Sequence, residues 1–184
     1  SRGRSSPITD WLRALARQAH AELGGPGVGA VGMCLTGGFA LTMMLDRAVI
    51  APVLSQPSLP MPLPGLAKKN GPEIDIAPRD LDQVAQRLRD EDLTVLGLRF
   101  TEDAFCPQAR FDMLRQKLGE RFEAIEIDSR PGNPYGFGKM AHSVLTVEFK
   151  DETDFPTRKA MDRVIGFFRE RLVTGTTPAK SKTV

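Results

Sequence analysis

The sequence contains few cysteines, little net charge and no long apolar run, and each of these absences excludes a class of protein. Two cysteines in 184 residues do not form the disulfide framework of a small secreted domain, so we expect a reducing compartment, the cytoplasm. The net charge is +2, without the basic stripe of a nucleic-acid-binding protein. No apolar run approaches the ~20 residues of a membrane span, and Ser1–Ser6 is polar and basic, unlike a signal peptide. We therefore expect neither a nucleic-acid nor a membrane partner.

Between its polar ends the sequence alternates between helix and strand signals. Four short apolar runs predict buried strands, at 28–35, 48–54, 93–100 and 122–127. Amphipathic spacing predicts helices around them, at 8–23, 39–45, 78–88, 107–118 and 161–172. This order is typical of an α/β fold, with a mostly parallel sheet that is flanked by helices.

One domain accounts for most of the chain. We expect it to span 7–173, with disordered segments at 1–6 and 174–184, because both ends are polar and carry no apolar periodicity. The stretch 56–75 is rich in proline and glycine and is predicted to be irregular. The proline-rich part at 55–65 is compatible with a cap over a site or with a passive linker. Ligands of parallel sheets bind at the carboxyl ends of the strands, so the loops there are the places to look for chemistry.

A cysteine stands in a glycine-rich turn directly after the first predicted strand. The segment 32–38, GMCLTGG, places small residues where a nucleophile on a sharp strand-to-helix turn needs them. The start of the following helix also favours a thiolate at Cys34. The same pattern is compatible with an ordinary glycine-rich turn that contains a buried, inert cysteine.

A carboxylate and a histidine follow later strands in the same way. Asp103 comes shortly after the third predicted strand, where it would either orient an imidazole or cap the helix that begins near Pro107. His142 lies in a loop at 130–143 that contains three glycines and two prolines. The second histidine, His20, lies near the end of the first helix, where a contact with that helix end or simple solvation explains it.

These three residues occur in the chain order nucleophile, acid, histidine, which is the order found in α/β-hydrolases. In such an arrangement His142 takes the proton of Cys34, Asp103 holds the imidazole in the required tautomer, and the thiolate attacks a carbonyl carbon. No cofactor is needed, and two cysteines and two histidines without paired spacing do not predict a metal site. Cys106 is expected to be buried or half-buried beside Pro107, and its spacing does not support a resolving role toward Cys34.

The motifs around these residues resemble those of the dienelactone hydrolases. The segment 32–38 looks like the Gly-x-Cys-x-Gly-Gly nucleophile turn of that family, Asp103 with Pro107 four residues later resembles its acid motif, and His142 falls where its histidine should. The resemblance covers the predicted domain. It implies an α/β-hydrolase fold and a thiol hydrolase that cleaves a small lactone or ester without a cofactor. It also implies that the backbone N–H of Leu35, the residue after the nucleophile, donates to the oxyanion.

Two departures from the family pattern bear on these expectations. Thr36 stands where a glycine is usual, so an extra residue precedes Gly37 and Gly38, and the turn must absorb it. The family's fold also begins with strands and a helix that complete the sheet and supply a second oxyanion donor, whereas this sequence begins almost at the helix before the nucleophile strand. We therefore expect an N-terminally incomplete, hydrolase-like sheet with an exposed edge. Loss of one oxyanion donor lowers a rate by ~10²–10³.

Two other interpretations stay open at this point. A catalytically silent hydrolase-like domain or fragment, acting as an interaction module, would account for the missing elements. The segment 27–32 also matches the G-x-G-x-x-G dinucleotide fingerprint, with Asp46 at a suitable distance. That fingerprint must follow a strand and open a helix, whereas here a helix precedes the motif and the motif itself forms the strand, which disfavours nucleotide binding.

Overall fold

The computed structural model describes residues 6–62 and 64–173. The described residues form four strands: β1 (Val28–Met33), β2 (Val49–Ser55), β3 (Val95–Phe100) and β4 (Phe122–Ile127). They also form six α-helices: α1 (Ile8–Leu23), α2 (Gly37–Met43), α3 (Ala67–Asn70), α4 (Pro78–Asp90), α5 (Gln108–Leu118) and α6 (Pro156–Leu172). Two 3₁₀ turns, Cys34–Thr36 and Gly119–Arg121, lead into α2 and β4.

The strands form one parallel sheet in the order β1-β2-β3-β4, so that neighbours in sequence are neighbours in space. Their carboxyl ends lie in register, with Met33 opposite Ser55, Ser55 opposite Leu98, and Phe100 opposite Ile127. Each crossover between neighbouring strands contains at least one helix, as parallel connections require. The predicted α/β fold with a parallel sheet is confirmed.

Hydrophobic cores lie on both faces of the sheet, because successive side chains of a strand point to opposite faces. Along β2, Leu54 joins the core formed with α2, α4 and α5, whereas Val53 joins the core formed with α6. The predicted apolar face of α4 is buried in the first core, through Leu81, Val84, Ala85 and Leu88. The second core takes Ala160, Val164 and Phe167 from α6. Helices therefore flank the sheet on both sides.

Several element boundaries differ from the predicted ones, and backbone geometry explains the first of them. β1 ends at Met33, two residues earlier than predicted, because Cys34 has a φ of 52° and leaves the extended conformation. α2 begins at Gly37, and α6 begins at Pro156, a residue type that suits the first turn of a helix. A short helix, α3, lies inside the stretch 56–75, so the prediction of a fully irregular segment is wrong there.

β1 is the terminal strand of the described sheet, and the prediction that it is buried on both faces is wrong. Val31 is 43% exposed and Met33 is 38% exposed, whereas every residue of β3 is buried. Among the described residues β1 pairs only with β2, so its other edge is open there. An exposed sheet edge at the strand before the cysteine is therefore a feature of the described chain.

The predicted disordered segments, 1–6 and 174–184, lie outside the described residues except for Ser6. The carbonyl of Ser6 accepts hydrogen bonds from the backbone N–H and the hydroxyl of Thr9, so Ser6 takes part in the start of α1. None of the described helices is long and apolar enough to cross a membrane.

Candidate active site

The carboxyl edge of the sheet brings together the residues that the sequence singles out. Cys34 follows β1 directly, Asp103 lies in the loop after β3, and His142 lies in the connection between β4 and α6. Oδ2 of Asp103 lies 2.7 Å from Nδ1 of His142. The other ring nitrogen, Nε2, is turned toward Cys34, and the hydroxyl of Ser58 lies within hydrogen-bond distance of both. The three predicted residues therefore form one cluster with a fourth.

The backbone of the cysteine turn is strained. Cys34 has a φ of 52°, in the left-handed region that non-glycine residues rarely adopt. Thr36 closes the 3₁₀ turn that follows, because its hydroxyl accepts a hydrogen bond from the N–H of Met33 and donates one to the carbonyl of Met33. The chain thus accommodates its extra residue by forming a 3₁₀ turn before α2.

Two glycines make room for this turn. A Cβ on Gly32 would lie 2.3 Å from the carbonyl oxygen of Thr36, and a Cβ on Gly37 would lie 2.5 Å from Cα of Pro57. Both contacts are with main-chain atoms, which cannot rotate away as a side chain would. The glycines of the segment 32–38 therefore allow the turn to lie close to the neighbouring main chain.

The carboxylate of Asp103 is shared between its own loop and the histidine. Its Oδ1 accepts hydrogen bonds from the N–H groups of Phe105 at 2.9 Å and Cys106 at 3.1 Å. α5 begins only at Gln108, and no side chain caps its first turn, so the alternative of a helix cap is wrong. The loop holds one carboxylate oxygen, which leaves the other directed at His142.

Packed neighbours hold the imidazole of His142 in place. Ala141 and Val144 are buried in the core against α6, and the N–H of Ser143 donates to a carboxylate oxygen of Glu148 at 2.7 Å. The ring of Phe105 packs edge-on against the imidazole, with 5.6 Å between ring centroids. The histidine is therefore positioned by the core behind it as well as by Asp103.

The groups of the cluster shift the pKa values of one another. Burial lowers the pKa of His142, but hydrogen bonds to Asp103 and Cys34, together with their charges, outweigh it and raise that pKa to about 9. Burial likewise raises the pKa of Cys34, but hydrogen bonds from His142 and Ser58, the charge of His142 and the N–H of Leu35 outweigh it and lower that pKa. Both shifts favour the state in which a thiolate faces an imidazolium, because each charge stabilises the other. Such a pair supplies a nucleophile with an acid beside it.

Ser58 is the residue of this cluster that sequence reasoning missed. Its backbone N–H donates to the carbonyl of Cys34 at 2.9 Å, so the beginning of the stretch 56–75 is not a passive linker. The signal that singles out Asp103, a polar residue shortly after a parallel strand, applies equally to Ser58 after β2. That stretch has no periodic pattern, however, and its many prolines draw attention away from the serine.

A buried arginine ties together the loops that hold Ser58 and Asp103. The guanidinium of Arg110 donates to five backbone carbonyls, which belong to Pro57, Pro60, Asn70, Glu73 and Phe105. Burial lowers the pKa of Arg110. Because these carbonyls come from two separate loops, one side chain fixes the position of both.

The other candidate residues lie elsewhere or serve packing. Nε2 of His20 lies 2.9 Å from the carbonyl of Gly25, just beyond the end of α1. The segment 27–32 forms β1 itself rather than a strand-to-helix turn, so it lacks the geometry of a dinucleotide fingerprint. Phe137 packs on Phe100 with 4.7 Å between ring centroids. Within 6–62 and 64–173, no group of three or more histidine, cysteine or acidic side chains is arranged to hold a metal ion.

Comparison of the sequence with protein-family models and with curated proteins gives no match. We therefore infer a function from the contacts and the chemistry of the cluster itself.

Proposed function

We propose that this chain is a thiol hydrolase that cleaves a small ester or lactone, on a sheet of the α/β-hydrolase type. The observation that carries the proposal is the 2.7 Å hydrogen bond between Asp103 and His142, beside a cysteine whose backbone is strained. Strain of this kind costs ~1–3 kcal/mol and is concentrated at functional sites. A nucleophile on such a turn stands at the carboxyl edge of the sheet, where a substrate meets it.

The proposed reaction proceeds by acyl transfer through Cys34. The thiolate attacks the carbonyl carbon, and the tetrahedral oxyanion accepts a hydrogen bond from the N–H of Leu35. The imidazolium of His142 then protonates the alkoxide oxygen as the C–O bond breaks. The alcohol is released, and the acyl group remains on Cys34 as a thioester. His142 next takes a proton from water as hydroxide adds to the thioester, the C–S bond breaks, and the carboxylic acid leaves. Asp103 keeps the imidazole oriented and stabilises its cation in both steps.

This mechanism also defines the proposed partner and location. The partner is a small-molecule ester or lactone, and the steps above use only side chains, backbone and water. The nucleophile acts as a reduced thiol, and both cysteines of the structure are free. A reducing compartment, the cytoplasm, is therefore the location that we propose.

The open edge of β1 favours a second candidate function, a catalytically silent interaction module. Val31 and Met33 expose apolar side chains on that strand, and Trp11 of α1 is also exposed. Exposed strand edges pair readily with other chains. In this alternative the cluster around Cys34 is assembled but no substrate is turned over.

The thioester intermediate separates these two functions. We would mix the wild-type chain with p-nitrophenyl acetate, quench it in acid and digest it with trypsin, which places Cys34 in peptide 18–47 and Cys106 in peptide 100–110. We expect a burst of nitrophenol and an acetyl group on peptide 18–47 alone. Nitrophenol release without an acetyl group there, or equal acetylation of both peptides, would refute the proposed hydrolase. Absence of both release and acetylation would favour the silent module.

A further inference from the structure

The hydroxyl of Ser58 lies between the proposed nucleophile and the proposed base. Its Oγ is 3.6 Å from Sγ of Cys34 and 3.3 Å from Nε2 of His142. Its third neighbour is the carbonyl of Gln56, at 3.0 Å. From this geometry we propose that Ser58 is a positioning residue whose hydroxyl bridges Cys34 and His142 and stabilises the thiolate of Cys34. The inference rests on the proposed function, whose two central groups it connects.

The backbone of the loop after β2 is held in place on both sides of Ser58. Gln56 has a φ of 36°, in the left-handed region, and its N–H donates to the carbonyl of Leu98 at 2.7 Å. Arg110 donates to the carbonyls of Pro57 and Pro60 at 2.6 Å, one on each side of Ser58 in sequence. These contacts fix the backbone on both sides of Ser58, so its side chain is held in place before any substrate binds.

A serine hydroxyl has the donor and acceptor sites that such a bridge needs. It donates one hydrogen bond and accepts two, so it donates to the sulfur of Cys34 while its oxygen accepts from the Nε2–H of the imidazolium. A hydrogen bond donated to a thiolate is charge-assisted and stabilises the anion relative to the thiol. The proton of Cys34 passes to His142 directly, and no covalent bond of Ser58 forms or breaks.

Ser58 itself is poorly placed to act as the nucleophile. It is 1% exposed, whereas Cys34 is partly exposed and is followed by the N–H of Leu35. An acyl carbon that approaches from solvent therefore meets the sulfur first. Burial suits a group that donates a hydrogen bond to the nucleophile and never bonds to substrate.

The charged groups around Ser58 are few. His142 is the titratable group that acts on Cys34, and Asp103 and Cys34 act on His142. Behind Asp103 lie the thiol of Cys106 and the guanidinium of Arg110. A change at Ser58 alters none of these charges, so a shift in the titration of Cys34 after such a change reports the hydroxyl.

The test is the rate of iodoacetamide labelling of Cys34 between about pH 6 and pH 10, because the thiolate is the form that reacts. Labelling is read on tryptic peptide 18–47 for the wild type, Ser58→Ala and Ser58→Thr. We expect Ser58→Ala to label about tenfold more slowly at the acid end, since a hydrogen bond to a charged group is lost, and to match the wild type at the alkaline end. Ser58→Thr keeps the hydroxyl and should restore the wild-type profile.

The control is Ser55→Ala, a buried serine of the same segment whose hydroxyl donates to the side chain of Gln56. It should leave the midpoint of the Cys34 profile unshifted. If Ser58→Ala does not fold, Ser58→Cys keeps the volume with a weaker donor and should show the same acid-end loss. Its new thiol lies in peptide 48–68 and does not obscure the Cys34 reading.

Three results would overturn this role of Ser58. The first is a Ser58→Ala profile that coincides with the wild type, and the second is a loss of rate that is equal at every pH. The third is ester turnover in Cys34→Ala that disappears when Ser58→Ala is added, which would make Ser58 a nucleophile. A wild-type Cys34 that titrates like an ordinary thiol, near ~8.5, would instead remove the proposed function. A lowered wild-type midpoint with no effect of Ser58→Ala would remove the role of Ser58 alone.

Discussion

Cys34 and Cys106 follow parallel strands at the same edge of the sheet, and each lies close to one member of the Asp103–His142 pair. Cys34 is partly exposed, and hydrogen bonds from His142 and Ser58 outweigh its burial and lower its pKa. Cys106 is fully buried, and burial followed by the charge of Asp103 raises its pKa to about 12. Proximity to the pair therefore does not activate a thiol, and neither does a nearby cation, since Arg99 and Arg110 also lie beside Cys106. A partly exposed sulfur that accepts hydrogen bonds does.

The largest expected contrast is in ester turnover by Cys34→Ala and Cys106→Ala. Removal of a nucleophile that acts as a unit with its base lowers kcat by ~10⁴-fold or more. Cys106→Ala removes one buried sulfur atom and should lower the free energy of unfolding by ~1 kcal/mol with turnover nearly unchanged. Steady-state rates on a small aryl ester measure both, and equal rates in the two variants would contradict the assignment.

Asp103→Asn is expected to bring the pKa values of the two thiols closer together. The amide places an N–H group against Nδ1 of His142 and so favours the wrong tautomer, which lowers kcat by ~10⁴-fold in triads of this kind. The labelling profile of Cys34 should move to higher pH, because the charge that keeps His142 protonated is gone. Glu102→Gln, at the exposed neighbouring residue, is the matched control and should change kcat by less than about threefold.

The pH dependence of the wild-type chain compares the reactivity of Cys34 and Cys106 directly. Cys34 should react with iodoacetamide more than ~10³-fold faster than Cys106 at neutral pH, because only its thiolate is stabilised. Turnover should rise as Cys34 loses its proton and fall as His142 loses its proton, with its pKa raised to about 9. Above that pH the leaving alcohol has no acid to protonate it. A turnover profile that keeps rising through pH 9 would contradict the role of His142.

Arg110→Met tests whether Arg110, which lies near Cys106, stabilises the fold. The substitution leaves five buried carbonyls without their donor, which should lower the free energy of unfolding by ~3 kcal/mol or more. Cys106 should then become labelled through more frequent opening of its loop. Arg130→Met, at an exposed arginine that pairs with Asp128, should leave the midpoint of urea unfolding nearly unchanged. Urea unfolding distinguishes the two.

The smallest expected effects come from glycines. Gly32→Ala forces a Cβ onto the carbonyl of Thr36 and should cost ~1–3 kcal/mol while it displaces Cys34. Gly166→Ala lies in α6, where the nearest atom to the new Cβ is 3.6 Å away on a flexible side chain. It should raise the free energy of unfolding by ~0.5–1 kcal/mol. Opposite shifts in Tm are the expected result, and a stabilising Gly32→Ala would contradict the steric argument.

Local pattern was sufficient for the order of the strands and of every helix except α3, and for the three chemical residue types after the strands. Apolar periodicity depends on neighbours a few residues away, and the carboxyl ends of parallel strands necessarily share one edge. The exposure of β1 could not be read in this way. Its apolar run is the same whether a further strand covers it or not, so only the position of β1 at the end of the sheet decides that Val31 and Met33 are exposed.

The sequence by itself therefore determined an α/β domain and the residues among which a site had to be sought. The tertiary structure alone decided which cysteine ionises, what Asp103 contacts and that Ser58 lies at the site. The physical reason is distance along the chain: His142 is 39 residues from Asp103 and 84 from Ser58. Hydrogen bonds and pKa shifts between groups so far apart arise only when the sheet has aligned its strands, and no local pattern carries them.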